Sequence, residues 1–265
     1  MSADGQATTA PGLTPLGDPA PSGWGEITVD TLYRERVTLL QPARGYRFSL
    51  DPVLLAAFVQ PPFGRFADIG CGTGAVAFSL AARDEAASGV AIELQPRLAA
   101  LARHGLARNA FGPRLTIVEG DVRRLVGGVV PRARFDLVAS NPPYRALAGG
   151  FVSPDQEIAR AHHEVTLTLA ECLDAAAALR HPEGRVALVF LASRVAELLS
   201  GLTARGLAPR RLRFVHPTLD LPASRVLIEA AAAGAGAPPC EIEAPLALRG
   251  AAGHSDEVRR MLGEA

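Results

Sequence analysis

Residues 28–33 and 37–40 alternate apolar and polar side chains with a period of two, which predicts a small hairpin. Further along, the pattern changes to short apolar runs separated by longer amphipathic stretches. The runs at 66–69, 90–93, 115–119 and 135–140 predict buried strands, and the stretches at 52–59, 75–83 and 96–109 predict the helices between them. Strands alternating with helices predict a parallel, doubly wound α/β sheet. Beyond it the pattern predicts a glycine-containing lid loop over 146–154 and a long helix over 155–180. A strand over 185–191, introduced by Gly184, and a helix over 194–205 follow. Strands at 211–216 and 224–231 are joined by a short connection, which predicts an antiparallel hairpin. A short extended segment over 241–248 and a helix over 256–262 complete the chain.

Residues 1–23 are rich in Pro, Gly, Ala, Ser and Thr without periodicity, and read as a flexible tail. Residues 24–265 read as one domain with a small N-terminal hairpin extension over 24–60.

The run at 135–140 stops abruptly in Asn141-Pro142-Pro143-Tyr144. Two consecutive prolines forbid both a continued strand ladder and an immediate helix. Asn141 and Tyr144 are therefore held on a stiff turn at the carboxyl end of a strand, where open α/β sheets bind ligands. The Asn141 amide oxygen and the Pro142 carbonyl are each suited to accept one N–H of an exocyclic amino or amide nitrogen. That pulls a conjugated, poorly nucleophilic nitrogen towards tetrahedral geometry. Tyr144 is suited to stack on a planar base. Alone, the tetrapeptide is also compatible with an ordinary loop and a core tyrosine.

Upstream, Asp68-Ile69-Gly70-Cys71-Gly72-Thr73-Gly74 is a strand entering a glycine turn with a helix behind it. Glycines let a backbone approach a ligand closely, and the helix N-terminus offers unpaired N–H groups. Nicotinamide and flavin enzymes carry similar turns, so the turn by itself does not name a cofactor. Glu93 ends the next strand, nineteen residues after Gly74, close to the ~20 expected for a carboxylate gripping ribose hydroxyls. Asp121, after the following strand, offers a carboxylate to an adenine amino group.

The 265 residues are 48% hydrophobic and 20% charged, with formal net charge +0, so overall charge does not predict a nucleic-acid partner. Locally the picture differs. Residues 97–134 hold eight arginines, Arg123 and Arg124 among them, against Glu119 and Asp121 alone. Arg205, Arg210, Arg211 and Arg213 form a second group, and Tyr46 and Arg47 lie in a polar, aromatic loop of the kind that often lines a site. These groups are candidate substrate contacts, although a solvated helix face is the commoner outcome. Cys71, Cys172 and Cys240 are far apart, with neither a disulfide framework nor zinc spacing, which suits a reducing cytoplasm. His162, His163 and Glu164 are consecutive and point in different directions on a helix, so no metal site is expected there. The N-terminus lacks the features of a signal peptide, and no apolar run reaches the ~20 residues needed to span a bilayer.

Taken in order, the 68–74 motif, Glu93, Asp121 and Asn141-Pro142-Pro143-Tyr144 resemble the class I S-adenosylmethionine-dependent methyltransferases. The last motif resembles that of the members that methylate exocyclic amino or amide nitrogens. Gln41-Pro42 followed by residues 45–56 is similar to the entry segment of the bacterial tRNA(Val) adenine-N6 methyltransferases, which modify the adenine 3′ of the anticodon, tRNA position 37. The resemblance implies a Rossmann-like, mostly parallel seven-stranded sheet with a C-terminal antiparallel hairpin. It implies that Asp68, Gly70, Cys71, Gly72 and Gly74 seat the amino-acid end of S-adenosylmethionine, with Glu93 at its ribose and Asp121 at its adenine. Asn141, Pro142, Pro143 and Tyr144 then form the catalytic turn, and tRNA is the partner. Release-factor glutamine methyltransferases share the Asn-Pro-Pro-Tyr turn but carry a helical domain before the glycine motif, where this chain has about forty residues of predicted structure. The residues also leave room for a DNA or rRNA base as acceptor, for a nicotinamide dehydrogenase and for an inactive RNA scaffold.

Overall fold

The computed structural model describes residues 25–44, 47–143, 167–234, 236–250 and 253–264. The tail at 1–23, the 146–154 loop, Tyr46, Tyr144, His162, His163 and Glu164 lie outside the described residues. Strands β1 (Ile27–Leu32) and β2 (Val37–Pro42) form the expected antiparallel hairpin as a sheet of their own. Asn109 fixes the hairpin to the body, its amide accepting from Thr38 N and donating to Thr38 O at 2.8 Å each.

Helix α1 (Asp51–Phe58) leads into β3 (Arg65–Ile69), followed by α2 (Ala75–Arg83), β4 (Ser88–Glu93), α3 (Pro96–Arg108) and β5 (Leu115–Glu119). A single helical turn, α4 (Val122–Leu125), precedes β6 (Phe135–Ser140). Then come α5 (Leu169–Leu179), β7 (Arg180–Leu191), α6 (Val195–Thr203), β8 (Leu207–His216) and β9 (Arg225–Ala232). The main sheet runs β5-β4-β3-β6-β7-β9-β8, and the two-residue strands β10 (Glu241–Ile242) and β11 (Leu246–Ala247) pair with β8 at its edge. β5, β4, β3, β6 and β7 are parallel; β9 is antiparallel to both β7 and β8. The seven long strands and the C-terminal hairpin match the expectation. A two-stranded ribbon, β12 (Arg249–Gly250) with β13 (Gly253–His254), and helix α7 (Asp256–Met261) end the fold.

Strand periodicity divides the core into two layers. Leu137 and Ala139 of β6 join the cluster containing α1 and α2, whereas Val138 between them joins the cluster containing α5 and α6. Burial of both faces explains why the central strands read as apolar runs rather than as alternation.

Several boundaries differ from expectation. Helix α5 begins at Leu169, capped by Thr168, so 167–168 interrupt the helix expected over 155–180. It ends at Leu179, and Arg180, expected as its last residue, opens β7 ahead of the expected residue 185. The Arg180 guanidinium donates to the carbonyls of His181 (2.7 Å) and Gly184 (3.0 Å), so the chain turns back on itself there, and Pro182 cannot continue a helix. Gly184 lies inside β7 because a Cβ there would sit 2.6 Å from the Phe135 carbonyl oxygen. Strand β8 also starts earlier than residue 211, at Leu207.

The chain crosses from β5 to β6 past β4 and β3, so β3 and β6 are neighbours whose connections run to opposite sides. Such a switch point leaves a crevice at the carboxyl ends of the two strands.

Candidate active site

The glycine turn leaves β3 at this switch point. Gly70 and Cys71 both donate their backbone N–H to the Ile92 carbonyl, at 2.9 and 3.0 Å, which stitches the turn to β4. Gly70 has φ +72 with open space where a Cβ would be, while at Gly74 (φ +96) a Cβ would meet the Phe78 ring at 2.7 Å. The first glycine keeps the cleft open, and the last lets α2 begin close against the turn.

Two buried acids flank the turn. Glu93 accepts the Gly72 N–H at 2.8 Å through one carboxylate oxygen and the Gln95 N–H at 2.7 Å through the other. Asp68 accepts the Ala77 N–H at 3.1 Å through Oδ2, whereas its buried Oδ1 has no partner among the described residues. Burial above all, reinforced by the Glu93 charge and opposed by the Ala77 N–H, pushes Asp68 up to about 7. Cys71 is buried beside both acids; desolvation and their charges raise its thiol well above its ordinary range, so it is no thiolate nucleophile.

Asp121 caps α4 by accepting the Arg123 N–H at 3.0 Å. The Arg123 side chain also grips both of its oxygens, and this bond is the main reason that its carboxyl is held below the usual range. On the far side of β3, Ser140 ends β6 and donates its hydroxyl to the Ile69 carbonyl at 2.8 Å, with Cys172 Sγ behind it at 3.5 Å. This cross-strand tie sets where Asn141-Pro142-Pro143 leaves the sheet.

Gly70, Gly72, Glu93, Asp121, Asn141, Pro142 and Pro143 all line one cleft. Asp68, Cys71 and Gly74 stand behind its wall rather than on it. Sequence alone missed the apolar lining, supplied by Ile92, Leu94, Leu98, Val122 and Leu167 among others. These apolar residues carried no signal apart from strand and helix periodicity, since only the packed cleft separates them from core residues. Ser140 and Cys172 were missed for the same reason.

The candidate substrate contacts are dispersed. Arg124 is exposed on α4 and is not among the residues that line the cleft. Arg123 is engaged with Asp121 and Glu171. Arg47 pairs with Asp30 at 2.8 Å and is bonded to Thr28. Arg211 lies over the Phe58 ring at 4.5 Å and pairs with Glu243, on the C-terminal part of the sheet rather than at the cleft. Two further arginines of that group behave alike: Arg205 meets Asp174 and Arg213 meets Glu257.

A cleft with two backbone-oriented carboxylate oxygens and an apolar wall, backed by a buried carboxyl oxygen without a partner among the described residues, fits a nucleoside bearing an amino-acid chain. The fold and cleft together define a class I S-adenosylmethionine-dependent methyltransferase. Residues 51–189 match the family described as the methyltransferase small domain. The chain is 32% identical over 209 residues to the tRNA1(Val) (adenine(37)-N6)-methyltransferase of Porphyromonas gingivalis, covering 77% of this chain and 81% of that one. It is 31% identical over 183 residues to the enzyme of the same name from Parabacteroides distasonis, covering 69% and 75%. Its fold is similar to the crystal structure of a predicted O-methyltransferase from Agrobacterium tumefaciens, with TM-score 0.63, 26% identity, and coverage of 81% of this chain and 97% of that one. The chain belongs to the methyltransferase small domain family, and its cofactor is S-adenosylmethionine. Among the described residues, no helix is long and apolar enough to cross a membrane.

Proposed function

We propose that this enzyme methylates N6 of an adenine in tRNA, at position 37 beside the anticodon. The observation that carries the reading is the convergence of Glu93, Asp121 and the Asn141-Pro142-Pro143 turn on one cleft, in a chain whose relatives bear that name. S-adenosylmethionine supplies an electrophilic methyl group on a sulfonium whose departure as a neutral thioether calls for no acid.

The protein's part is to bind, orient and exclude water. Glu93, its oxygens aimed by the Gly72 and Gln95 N–H groups, accepts from the two ribose hydroxyls. Asp121 would accept from the adenine amino group of the cofactor, with Leu98 and Val122 supplying apolar lining beside it. Asp68, whose Oδ1 has no partner among the described residues, would serve the amino-acid end. On the acceptor side, the Asn141 amide oxygen and the Pro142 carbonyl take the two N–H bonds of the target amine, and Tyr144 stacks on its base. The amine becomes acidic only after attack, so no strong general base is needed. Catalysis rests chiefly on alignment, which accounts for large accelerations when reacting atoms are held in line. Arg124, exposed on α4, is the candidate for a backbone phosphate contact, and such contacts weaken steeply with salt.

Labelled S-adenosylmethionine and unmodified tRNA, followed by nucleoside digestion, test this. N6-methyladenosine mapping to position 37 is the expected product. Cofactor binding with no label in tRNA, but with label in a protein glutamine, would transfer the activity to the other Asn-Pro-Pro-Tyr acceptor class.

A further inference from the structure

Arg123 stands between two walls of the cleft. Its Nε and Nη2 donate to the two oxygens of Asp121, at 2.8 Å to Oδ1 and 2.6 Å to Oδ2. Its Nη1 donates at 2.8 Å to Glu171 Oε1. Glu171 closes a capping box at the start of α5. It accepts the Thr168 N–H at 2.9 Å while its own N–H donates to the Thr168 hydroxyl at 3.2 Å. Leu167, the residue before that cap, lines the cleft with Asp121 and Val122. One guanidinium thus ties the β5–α4 turn to the N-terminus of α5, although the two are nearly fifty residues apart in sequence.

A half-exposed ion pair contributes little to stability in general. A planar fork gripping both oxygens of a carboxylate does something else: it fixes the plane of that carboxylate and keeps it an acceptor only. Oδ1 accepts the Arg123 backbone N–H as well as Nε, so the acceptor capacity left for a ligand is on Oδ2 of this cleft-lining residue.

We propose that Arg123 is a positioning residue for purine selection: through the Asp121 fork and the Glu171 cap it orients the acceptor that distinguishes adenine from a purine lacking the amino group. This rests on the proposed seat of the cofactor's adenine at Asp121. It also gives Arg123 a different role from the RNA contact its charge suggests.

The test uses binding, not turnover. Affinities of the full chain for S-adenosylhomocysteine and for its hypoxanthine counterpart, which carries a carbonyl in place of the amino group, are measured by calorimetry. The wild type favours the adenine compound, because an anionic acceptor meets an amino donor and repels a carbonyl. Arg123→Ala and Arg123→Gln are expected to reduce this preference about tenfold, the loss of one charge-assisted hydrogen bond. Affinity for the hypoxanthine compound should stay within about twofold in both. Glu171→Gln should reduce the preference less, since the Asp121 fork remains. The proposal is overturned if both Arg123 variants keep the wild-type preference while Asp121→Asn loses it. It is equally overturned if they weaken both ligands alike, the signature of a purely structural role. If Asp121→Asn itself leaves the preference intact, the seat of adenine is wrong and the inference falls with it.

Discussion

Around the switch point the β3–β4–β5 half of the sheet buries acids at the edge of a cleft, held by backbone N–H groups. The β7–β9–β8 half buries charges that already have opposite charges beside them. Asp68 and Glu93 are both buried, and one oxygen of Asp68 has no partner among the described residues. Glu229 and Arg213 are buried to a similar degree, yet Glu229 faces Arg185 at 3.4 Å and Arg213 is bidentate with Glu257 at 2.7 and 2.9 Å. A buried carboxylate oxygen without a partner, such as Oδ1 of Asp68, costs free energy that the fold must offset elsewhere, which makes it a candidate ligand contact. Satisfied pairs mark scaffold. By this criterion the arginine group at 205–213 is architectural: it fastens the C-terminal strands and α7 to the sheet.

The sharpest way to break the contrast is at the turn where the two halves meet. Asn141→Ala should lower methyl transfer by about 100-fold or more, as for the loss of an oriented hydrogen-bond partner in a transition state. Cofactor affinity should change little, so equilibrium binding measured beside turnover separates the roles. Retained turnover would remove Asn141 from the mechanism. On the cofactor half, Glu93→Ala should weaken cofactor binding about tenfold or more, since a charged acceptor of two hydroxyls is lost. It should also leave the Gly72 and Gln95 N–H groups unmet and lower the melting temperature.

Asp68 gives a pH signature that the paired half cannot. Its carboxyl is raised to about 7 in the fold from an ordinary value of 3.8. A raised acid stabilises the fold fully below its unfolded value, and that contribution is lost as pH rises through about 7. Asp68→Asn should therefore melt above the wild type at pH 8 and close to it at pH 5. At pH 8 the same variant should bind cofactor more weakly, and wild-type affinity should decline as pH falls below about 7. Parallel melting curves at both pH values would refute the assignment.

On the scaffold half, Arg213→Ala should cost about 1 kcal/mol of stability, by breaking the pair of a buried guanidinium with a partly exposed carboxylate, with cofactor affinity unchanged. The smallest effect belongs to Arg103, whose exposed 3.1 Å pair with Glu119 should be worth no more than about 0.5 kcal/mol in a denaturant titration.

Much of this molecule was legible in order of residues alone. Apolar runs located the strands, glycine and proline punctuated them, and the spacing from Gly74 to Glu93 pointed to a carboxylate that lines the cleft, because these are local properties of a chain with two soft dihedrals per residue. Charge was a poorer guide. Arg205, Arg211 and Arg213 looked like a basic patch, but Asp174, Glu243 and Glu257, which neutralise them, are thirty or more residues away in sequence. Likewise, Arg123 and Arg124 are both exposed, and only the folded structure brings Glu171, 48 residues away, to Arg123. Leu167 entered the site only because α5 packs beside α4. The sequence by itself determined which groups were available and on which turns they stood. Tertiary structure decided which of them are neutralised by distant partners and which face one cleft, because pairing and desolvation depend on neighbours that only the folded sheet brings within a few ångströms.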